Sequence, residues 1–303
     1  MVECMLCGKS AFFLRPYSGE AFCRRCYPRT FEKRVSETIT GMRMLRPIER
    51  LAVAVSGGKD SVSLLHVLTR IERRFPQVQI IAFTVDEGIS GYRREAIEIA
   101  ASNAKQLGIE HRVVSFKSLY GHDLDEVAHR VQELKLESVC AYCGILRRKA
   151  LNVAAKEVEA TKLATAHNLD DEAQSLIMSL LRGAMDELLR SKGESTGFVP
   201  RIKPFMRTPE REIALYAHVR RIRFQSIPCP YAGTSLRNEV RCFLDIVEEM
   251  HPGMKFAVPS TFGKLRPTES VAKTGGRCRV CNEPAFKTIC RACQVLKNLG
   301  LRK

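Results

Sequence analysis

The first strong hydrophobic pattern is Leu51-Ala-Val-Ala-Val55, five apolar residues without a polar break. An apolar run of strand length that ends at a glycine turn predicts a strand buried on both faces. Beyond the turn, Val62, Leu64, Leu65, Leu68 and Ile71 recur at helical spacing, so one face of the next helix is apolar. Strand-like runs return at Val78 to Val85, Arg112 to Ser115 and Lys162 to Ala166. Helical stretches fall between and around them, at Arg94 to Leu107, Asp123 to Leu134 and Gly144 to Val158. Alternating strands and helices predict an α/β fold: a parallel sheet with right-handed crossovers and helices on both faces.

Ser56-Gly-Gly-Lys-Asp-Ser61 joins the first buried strand to its helix. Free N–H groups and the helix dipole make that junction an anion site. Gly57 and Gly58 permit close backbone approach, and Ser56, Lys59 and Ser61 add donors. The spacing is not that of the Walker A loop, which needs Gly-x4-Gly-Lys-Ser/Thr. Ligands of such sheets bind beyond the strand C-terminal ends. Asp86-Glu87-Gly88 and His167-Asn168-Leu169-Asp170-Asp171 should gather there with the glycine turn. Asp170 and Asp171 suit either Mg²⁺ binding or capping of the following helix. His167 suits either a ligand or an ordinary polar residue at a strand end.

Ten of the twelve cysteines sit in Cys-x2-Cys pairs. Cys4 and Cys7 are followed by Cys23 and Cys26 after fifteen residues, and Cys278 and Cys281 by Cys290 and Cys293 after eight. Two such knuckles complete a tetrahedral S4 site, with zinc the default metal and a rubredoxin-like iron the alternative. These are folding sites, because segments this short hold too little apolar core without metal. The third pair, Cys140 and Cys143, has no second pair nearby. Its candidate partners are Cys229, held stiff between Pro228 and Pro230, and Cys242. Three cysteines on a metal leave an open position, as catalytic sites require. A redox dithiol and buried inert cysteines remain alternatives. Cys242, in the helix-like stretch Val240 to Leu244, reads as a core residue.

Composition narrows the class. The 303 residues carry 49 Lys+Arg against 33 Asp+Glu, a formal charge of +16, and the length suggests about two domains. Hydrophobic residues at 45% and charged residues at 27% exclude a wholly disordered chain. No apolar run is long enough for a membrane span, and the N-terminal MVECMLCGKS has no signal-peptide core. A cytoplasmic, reducing location is therefore expected, where cysteines bind metal or do chemistry. The charge suggests a polyanionic partner, nucleic acid first. The candidate contacts are Arg147-Arg-Lys149, Arg220-Arg-Ile-Arg223 and the basic segment from Arg24 to Arg34; each also reads as a solvated face.

With both fingers, SGGKDS, DEGISGYR, CAYCG, ATAHNLDDEA and CPYA in place, nearly the whole chain resembles a known family. It is the PP-loop ATP pyrophosphatases that thiolate tRNA, the TtuA/NcsA group. DEGISGYR, Ser118-Leu-Tyr-Gly121 and Leu180-Leu-Arg-Gly183 look closer to the cytosolic wobble-uridine thiolases than to the T-loop branch. The resemblance implies a Rossmann-like (PP-loop/HUP) sheet flanked by two zinc ribbons. The expected division is an N-terminal finger at 1–30, a basic helical linker at 31–48, a catalytic domain at 49–272 and a second finger at 273–303.

By the same resemblance, Ser56, Gly57, Gly58, Lys59, Asp60 and Ser61 would hold ATP phosphates, with Val55 and Thr84 near the nucleotide. Asp60 and Asp170 would be catalytic carboxylates, and Mg²⁺ would accompany the ATP. Cys140, Cys143 and Cys229 would bind three irons of a 4Fe-4S cluster and leave the fourth open for sulfide. Arg147 stands where T-loop relatives tend to carry Lys. Ala166 replaces the glycine of the family's TGHN signature, where only a small side chain fits against adenine.

The implied reaction places AMP on uridine O2 and then replaces it at C2 with sulfur. Sulfide and a ubiquitin-like thiocarboxylate protein are both compatible as sulfur donor, tRNA is the implied partner, and a homodimer through the fingers is compatible. Three readings compete with this one. They are a cluster-free mechanism through a Cys143 or Cys229 persulfide, a zinc-ribbon RNA-binding scaffold without turnover, and ATP-dependent amide synthesis on a small acid.

Overall fold

The computed structural model describes residues 2–72, 77–136, 138–184, 197–233, 236–265 and 275–302. The N-terminal finger holds a short hairpin, β1 (Phe13–Leu14) and β2 (Ala21–Phe22), and runs into α1 (Tyr27–Gly41). The central unit then alternates through β3 (Glu49–Ala54), α2 (Lys59–Glu72), β4 (Val78–Asp86), α3 (Arg93–Leu107) and β5 (Glu110–Ser115). Next come α4 (Phe116–Tyr120), α5 (Leu124–Glu133), α6 (Val139–Glu157), β6 (Lys162–Ala164), α7 (Leu169–Leu181) and β7 (Arg201–Ile202). Helices α8 (Glu210–Val219), α9 (Leu236–Met250) and α10 (Met254–Leu265) follow, then the C-terminal finger: β8 (Gly276–Arg277), β9 (Pro284–Ala285) and α11 (Arg291–Asn298).

The central sheet has the order β5-β4-β3-β6-β7 and every pairing in it is parallel. The expected α/β fold is therefore present. Chain order reverses between β3 and β6, which opens a crevice at their C-terminal ends. Side chains along β3 divide by parity, as a pleated strand requires. Leu51, Val53 and Val55 enter a core shared with α1, α2, α3 and α8, whereas Ala52 joins Ile81, Phe83 and Val85 in a core shared with α5, α6 and α11. Helices thus cover both faces.

Both fingers are fastened to these cores. The segment expected to be a linker contains α1, which starts earlier, at Tyr27, and buries Tyr27, Phe31, Val35 and Ile39 completely or nearly so. At about 1.5–3 kcal/mol for each large apolar side chain, that face holds the helix firmly. Phe31 stacks on Tyr216 of α8 at 4.4 Å, and Tyr27 Oη donates to the Glu212 carbonyl at 2.7 Å. On the other face, Ala292, Val295 and Leu296 of α11, with Leu299, enter the core of α5 and α6. The expected boundary at 272/273 lies outside the described residues.

Several expectations change. The Cys140/Cys143 pair lies inside α6, Cys140 in its first turn and Cys143 at the start of the second, not ahead of a helix beginning at Gly144. Cys242 is exposed and is not a core residue, because α9 buries Val240 and Leu244 against α7 and turns position 242 outward. Among the described residues, no helix is long and apolar enough to cross a membrane.

Candidate active site

A cavity of about 710 Å³ opens where β3, β4 and β6 end, at the crevice between β3 and β6. That volume is in the range of a small-molecule site. Val55, Ser56, Gly58, Lys59, Asp60 and Ser61 line it, as do Glu87, Arg93, Arg147, Ala166 and His167.

The glycine turn is shaped by its own hydroxyls. Ser61 Oγ accepts from Ser56 N at 3.0 Å and donates to the Gly58 carbonyl at 2.9 Å. Gly57 has φ +90°, and a Cβ there would stand 2.5 Å from the Ala96 carbonyl oxygen, so only glycine fits between turn and α3. Gln225 braces the far side: its N–H donates to the Gly57 carbonyl at 2.9 Å and its amide to the Tyr92 carbonyl at 2.9 Å. Lys59 forms ion pairs with Asp60, at 3.0 Å, and with Glu210, which also holds Arg241 at 2.6 Å. Burial alone would depress the Lys59 ammonium, but Asp60 and Glu210 outweigh it and raise its pKa. Burial pushes Asp60 up to about 6, against the pull of Lys59.

Three expected residues stand behind this surface. Gly57 contributes its conformation and is not among the lining residues. Thr84 is fully buried, its hydroxyl donating to the Val55 carbonyl at 2.7 Å with His111 Nε2 also at 2.7 Å. Asp170 is 6% exposed and engaged twice, accepting from Glu210 N at 2.7 Å and pairing with Lys255 of α10. The two aspartates of the LDD segment therefore differ in role. Asn168 caps α7, and Asp171 N3 returns the bond in a capping box while facing the cavity. His167 lies on the cavity with Nδ1 2.9 Å from Thr165 Oγ1; burial and the Lys203 charge keep its pKa below the ordinary imidazole value.

The three cysteines lie behind the cavity's wall, next to two of its lining residues, Arg147 and Pro228, and none of them lines it directly. Cys143 is buried in α6, with Arg147 Nη2 donating to its sulfur at 3.2 Å. Burial pushes the thiol up to about 11, with Arg147 pulling it down. Cys140 Sγ lies 3.2 Å from the Tyr231 carbonyl, which brings the Cys229 loop over the start of α6, and Pro228 lines the cavity. In each finger the four sulfurs all lie within 4.8 Å of one another, with contacts of 3.6 Å for Cys7–Cys23 and 3.7 Å for Cys281–Cys290. Tetrahedral thiolates around one ion at ~2.3 Å stand about 3.8 Å apart, so each finger fits a single metal ion. Cys140, Cys143 and Cys229 do not form such a group. Three thiols spaced more widely than a single-ion site requires suit a multi-iron cluster, whose ligands bind different irons, better than one ion.

Several groups here gave little or no sequence signal. Lys255 and Arg241 belong to helices with no motif, and Glu210 opens α8. Glu87 and Arg93 lie within Asp86 to Arg93, and that segment's strand-end position was the available signal. The basic runs are partly consumed inside the fold. Arg147 pairs with Glu87 at 2.7 Å, Lys149 reaches Cys281 at 3.0 Å, Arg34 pairs with Glu212 at 2.9 Å and Arg220 with Glu32 at 2.7 Å.

Comparison with known proteins agrees with this geometry. A family description of the PP-loop domain matches residues 28–246. A Methanocaldococcus jannaschii protein named "Probable sulfurtransferase" is 33% identical over 98% of this chain and 89% of its own. "Cytoplasmic tRNA 2-thiolation protein 1" of Anopheles gambiae is 34% identical over 97% of this chain and 87% of its own. Among solved structures, the U34-tRNA thiolase NcsA from Methanococcus maripaludis, described with its 4Fe-4S cluster, is 32% identical. It superposes with a TM-score of 0.86 over 99% of this chain and 97% of that one. A glycine turn at a parallel switch point, a CxxC pair and Cys229 next to residues of its cavity, and two S4 fingers thus coincide with end-to-end similarity, and the chain belongs to the PP-loop family of tRNA-thiolating sulfurtransferases.

Proposed function

We propose that this protein is a cytoplasmic tRNA uridine 2-sulfurtransferase that acts at the wobble position. What carries the reading is that the cavity lined by the glycine turn is also lined by Arg147, which donates to Cys143 Sγ, and by Pro228, the neighbour of Cys229. An activated base and its incoming sulfur must meet at a single carbon, so the two chemistries need one chamber.

The turn's backbone donors, Ser56 and Ser61 would bind the ATP phosphates, with Lys59 leaving Glu210 to meet them. Asp60, with Asp171 beside it on the cavity, would hold Mg²⁺, while Asp170 would act from behind through the Glu210 N–H and Lys255. Val55 and Ala166 would border the base, with Thr84 fixing Val55 from behind. Uridine O2 attacks the α-phosphorus, pyrophosphate leaves, and sulfur then adds at C2 as AMP departs with the oxygen. Cys140, Cys143 and Cys229 fit a 4Fe-4S cluster, which when bound supplies an open iron as a Lewis-acid site for sulfide. Zinc would occupy both fingers.

A surface beside the cavity suits folded RNA. Arg148, Arg201, Arg237 and Arg291 come from four different elements, and burial together with the charges of Arg291 and Arg237 lowers the Arg148 pKa. Such crowding is relieved by phosphate. The sulfur donor would be sulfide or a ubiquitin-like thiocarboxylate protein, and a homodimer through the fingers is compatible. The division at 1–30, 31–48, 49–272 and 273–303 belongs to the same proposal.

The test is a reaction with anaerobically purified protein, ATP, sulfide and unmodified tRNA, read by pyrophosphate release and by mass spectrometry of mapped nucleosides. The expected result is tRNA-dependent pyrophosphate release with 2-thiouridine at the wobble base. Tight tRNA binding without ATP cleavage would leave only a scaffold. Thiolation confined to the T-loop would overturn the wobble assignment, and zinc alone at the three-cysteine site would overturn the cluster.

A further inference from the structure

Glu87 lies just past β4 and is 3% exposed, yet neither the glycine turn nor the cysteine set explains its charge. Its backbone is fixed: the carbonyl accepts from Leu124 N at 2.7 Å, and Gly88 N closes the adjacent turn on Asp86 Oδ1 at 2.9 Å. The carboxylate is shared between two arginines from different helices. Oε2 pairs with Arg93 Nε at 2.6 Å and Oε1 with Arg147 Nε at 2.7 Å.

The two arginines are unequal. Arg93 is 5% exposed and anchored to the phosphate turn, donating to the Ser56 carbonyl at 3.1 Å and also to the Val85 carbonyl. Arg147 lines the cavity with 46% of its side chain accessible, and its Nη2 donates to Cys143 Sγ at 3.2 Å. The chain of contacts runs from Ser56 through Arg93, Glu87 and Arg147 to Cys143. Two guanidiniums against one carboxylate leave one positive charge over, and Arg147 is the member within reach of both an anion in the cavity and the sulfur.

We propose that Glu87 is a positioning residue that holds Arg147 as a contact shared between the nucleotide cavity and the Cys143 site, so that occupants of the two compete for one guanidinium. Two anionic occupants drawing on a single cation weaken each other's hold, and the weakening is reciprocal. Departure of the nucleotide products then returns Arg147 to the sulfur side. A carboxylate is needed at position 87 because its two oxygens address both arginines at once, and Arg147 must be arginine because an ammonium is a point charge that cannot bridge the two sites.

The inference rests on the ATP and cluster reading above, and its test separates the two. The dissociation constant of α,β-methylene-ATP is measured by calorimetry on the full-length chain, once loaded with iron and sulfide and once iron-free with its finger metals retained. Wild type should bind the analogue at least about five-fold more weakly when loaded. In Glu87→Gln that ratio should fall within about two-fold, with a cooperative thermal transition confirming the fold. Arg147→Lys should give the same collapse, and it carries the test if Glu87→Gln does not fold.

Analogue binding that is equal in both wild-type forms overturns the proposal while leaving ATP binding intact. A five-fold ratio that survives in both variants overturns it as well, and marks the Glu87 pairs as structural only. A chain that binds no analogue, or takes up no iron, overturns the underlying reading and the proposal with it.

Discussion

Gly57 in the glycine turn and Asp60 in the first turn of α2 sit three residues apart, and each carries a cost in the folded chain. Burial pushes Asp60 up to about 6 from 3.8, so the folded chain holds this proton more tightly than the unfolded chain does. Between those two values stability falls as pH rises, and above them the penalty is constant. Asp60→Asn should therefore raise stability by roughly 3 kcal/mol well above pH 6, with the advantage vanishing below the ordinary carboxylate range. Calorimetric midpoints across pH 4–8 check this, and a pH-independent difference would rule the titration out. Gly57 admits no side chain, since φ is +90° and the α3 backbone lies against it. Gly57→Ala should lose about 1–2 kcal/mol from backbone conformation alone, more with the clash against Ala96, and should weaken α,β-methylene-ATP binding. Denaturant titration and calorimetry measure both.

At the scale of elements, the neighbours of a helix decide what its residues do. In α9, Val240 and Leu244 pack on α7, and Cys242 is turned roughly 200° away from Val240 and left exposed. Lys255 of α10 pairs with Asp170 of α7 and with Asp245 of α9, so one ammonium joins three helices. Lys255→Met leaves a buried carboxylate without its countercharge and should cost about 3–5 kcal/mol, read by denaturant titration. A loss under about 1 kcal/mol would mean that the Glu210 N–H alone satisfies Asp170. The local signals of α2 and the glycine turn were legible because strand, turn and helix adjoin in the chain. The two-residue strand β7 and the pairing of residues 170 and 255 were not, because no local pattern encodes a partner 85 positions away.

The whole molecule is a sheet with a four-cysteine finger packed against each face. Helix α11 gives Ala292, Val295 and Leu296 to the core of α5 and α6, and Lys149 of α6 reaches three sulfurs of the C-terminal site at 3.0–3.7 Å. A thiolate-rich metal centre carries negative charge, and this ammonium offsets it. A metal ion held there would therefore contribute folding free energy to a region larger than the finger. Cys293→Ser should lower hydrogen-exchange protection in α5 and α6 as well as in residues 275–302, and should raise hydrophobic-dye binding. Loss of protection confined to the finger would show that α11 packs without contributing.

The sequence by itself determined the parts whose physics is local. Paired cysteines at short spacing announce metal, an apolar run before SGGKDS announces a strand delivering an anion turn to a helix, and alternating runs announce a parallel sheet. Its +16 charge announced a polyanionic partner without saying which cations are free to meet one. Tertiary structure decided that. It committed Arg147 to Glu87 and Cys143, Lys149 to a finger, Arg34 to Glu212 and Arg220 to Glu32, and left Arg148 among other arginines at the cavity's side. Charge and hydrogen-bonding capacity belong to a residue, but whether they are spent inside the fold or left for a ligand depends on neighbours that only the folded chain brings within a few ångströms.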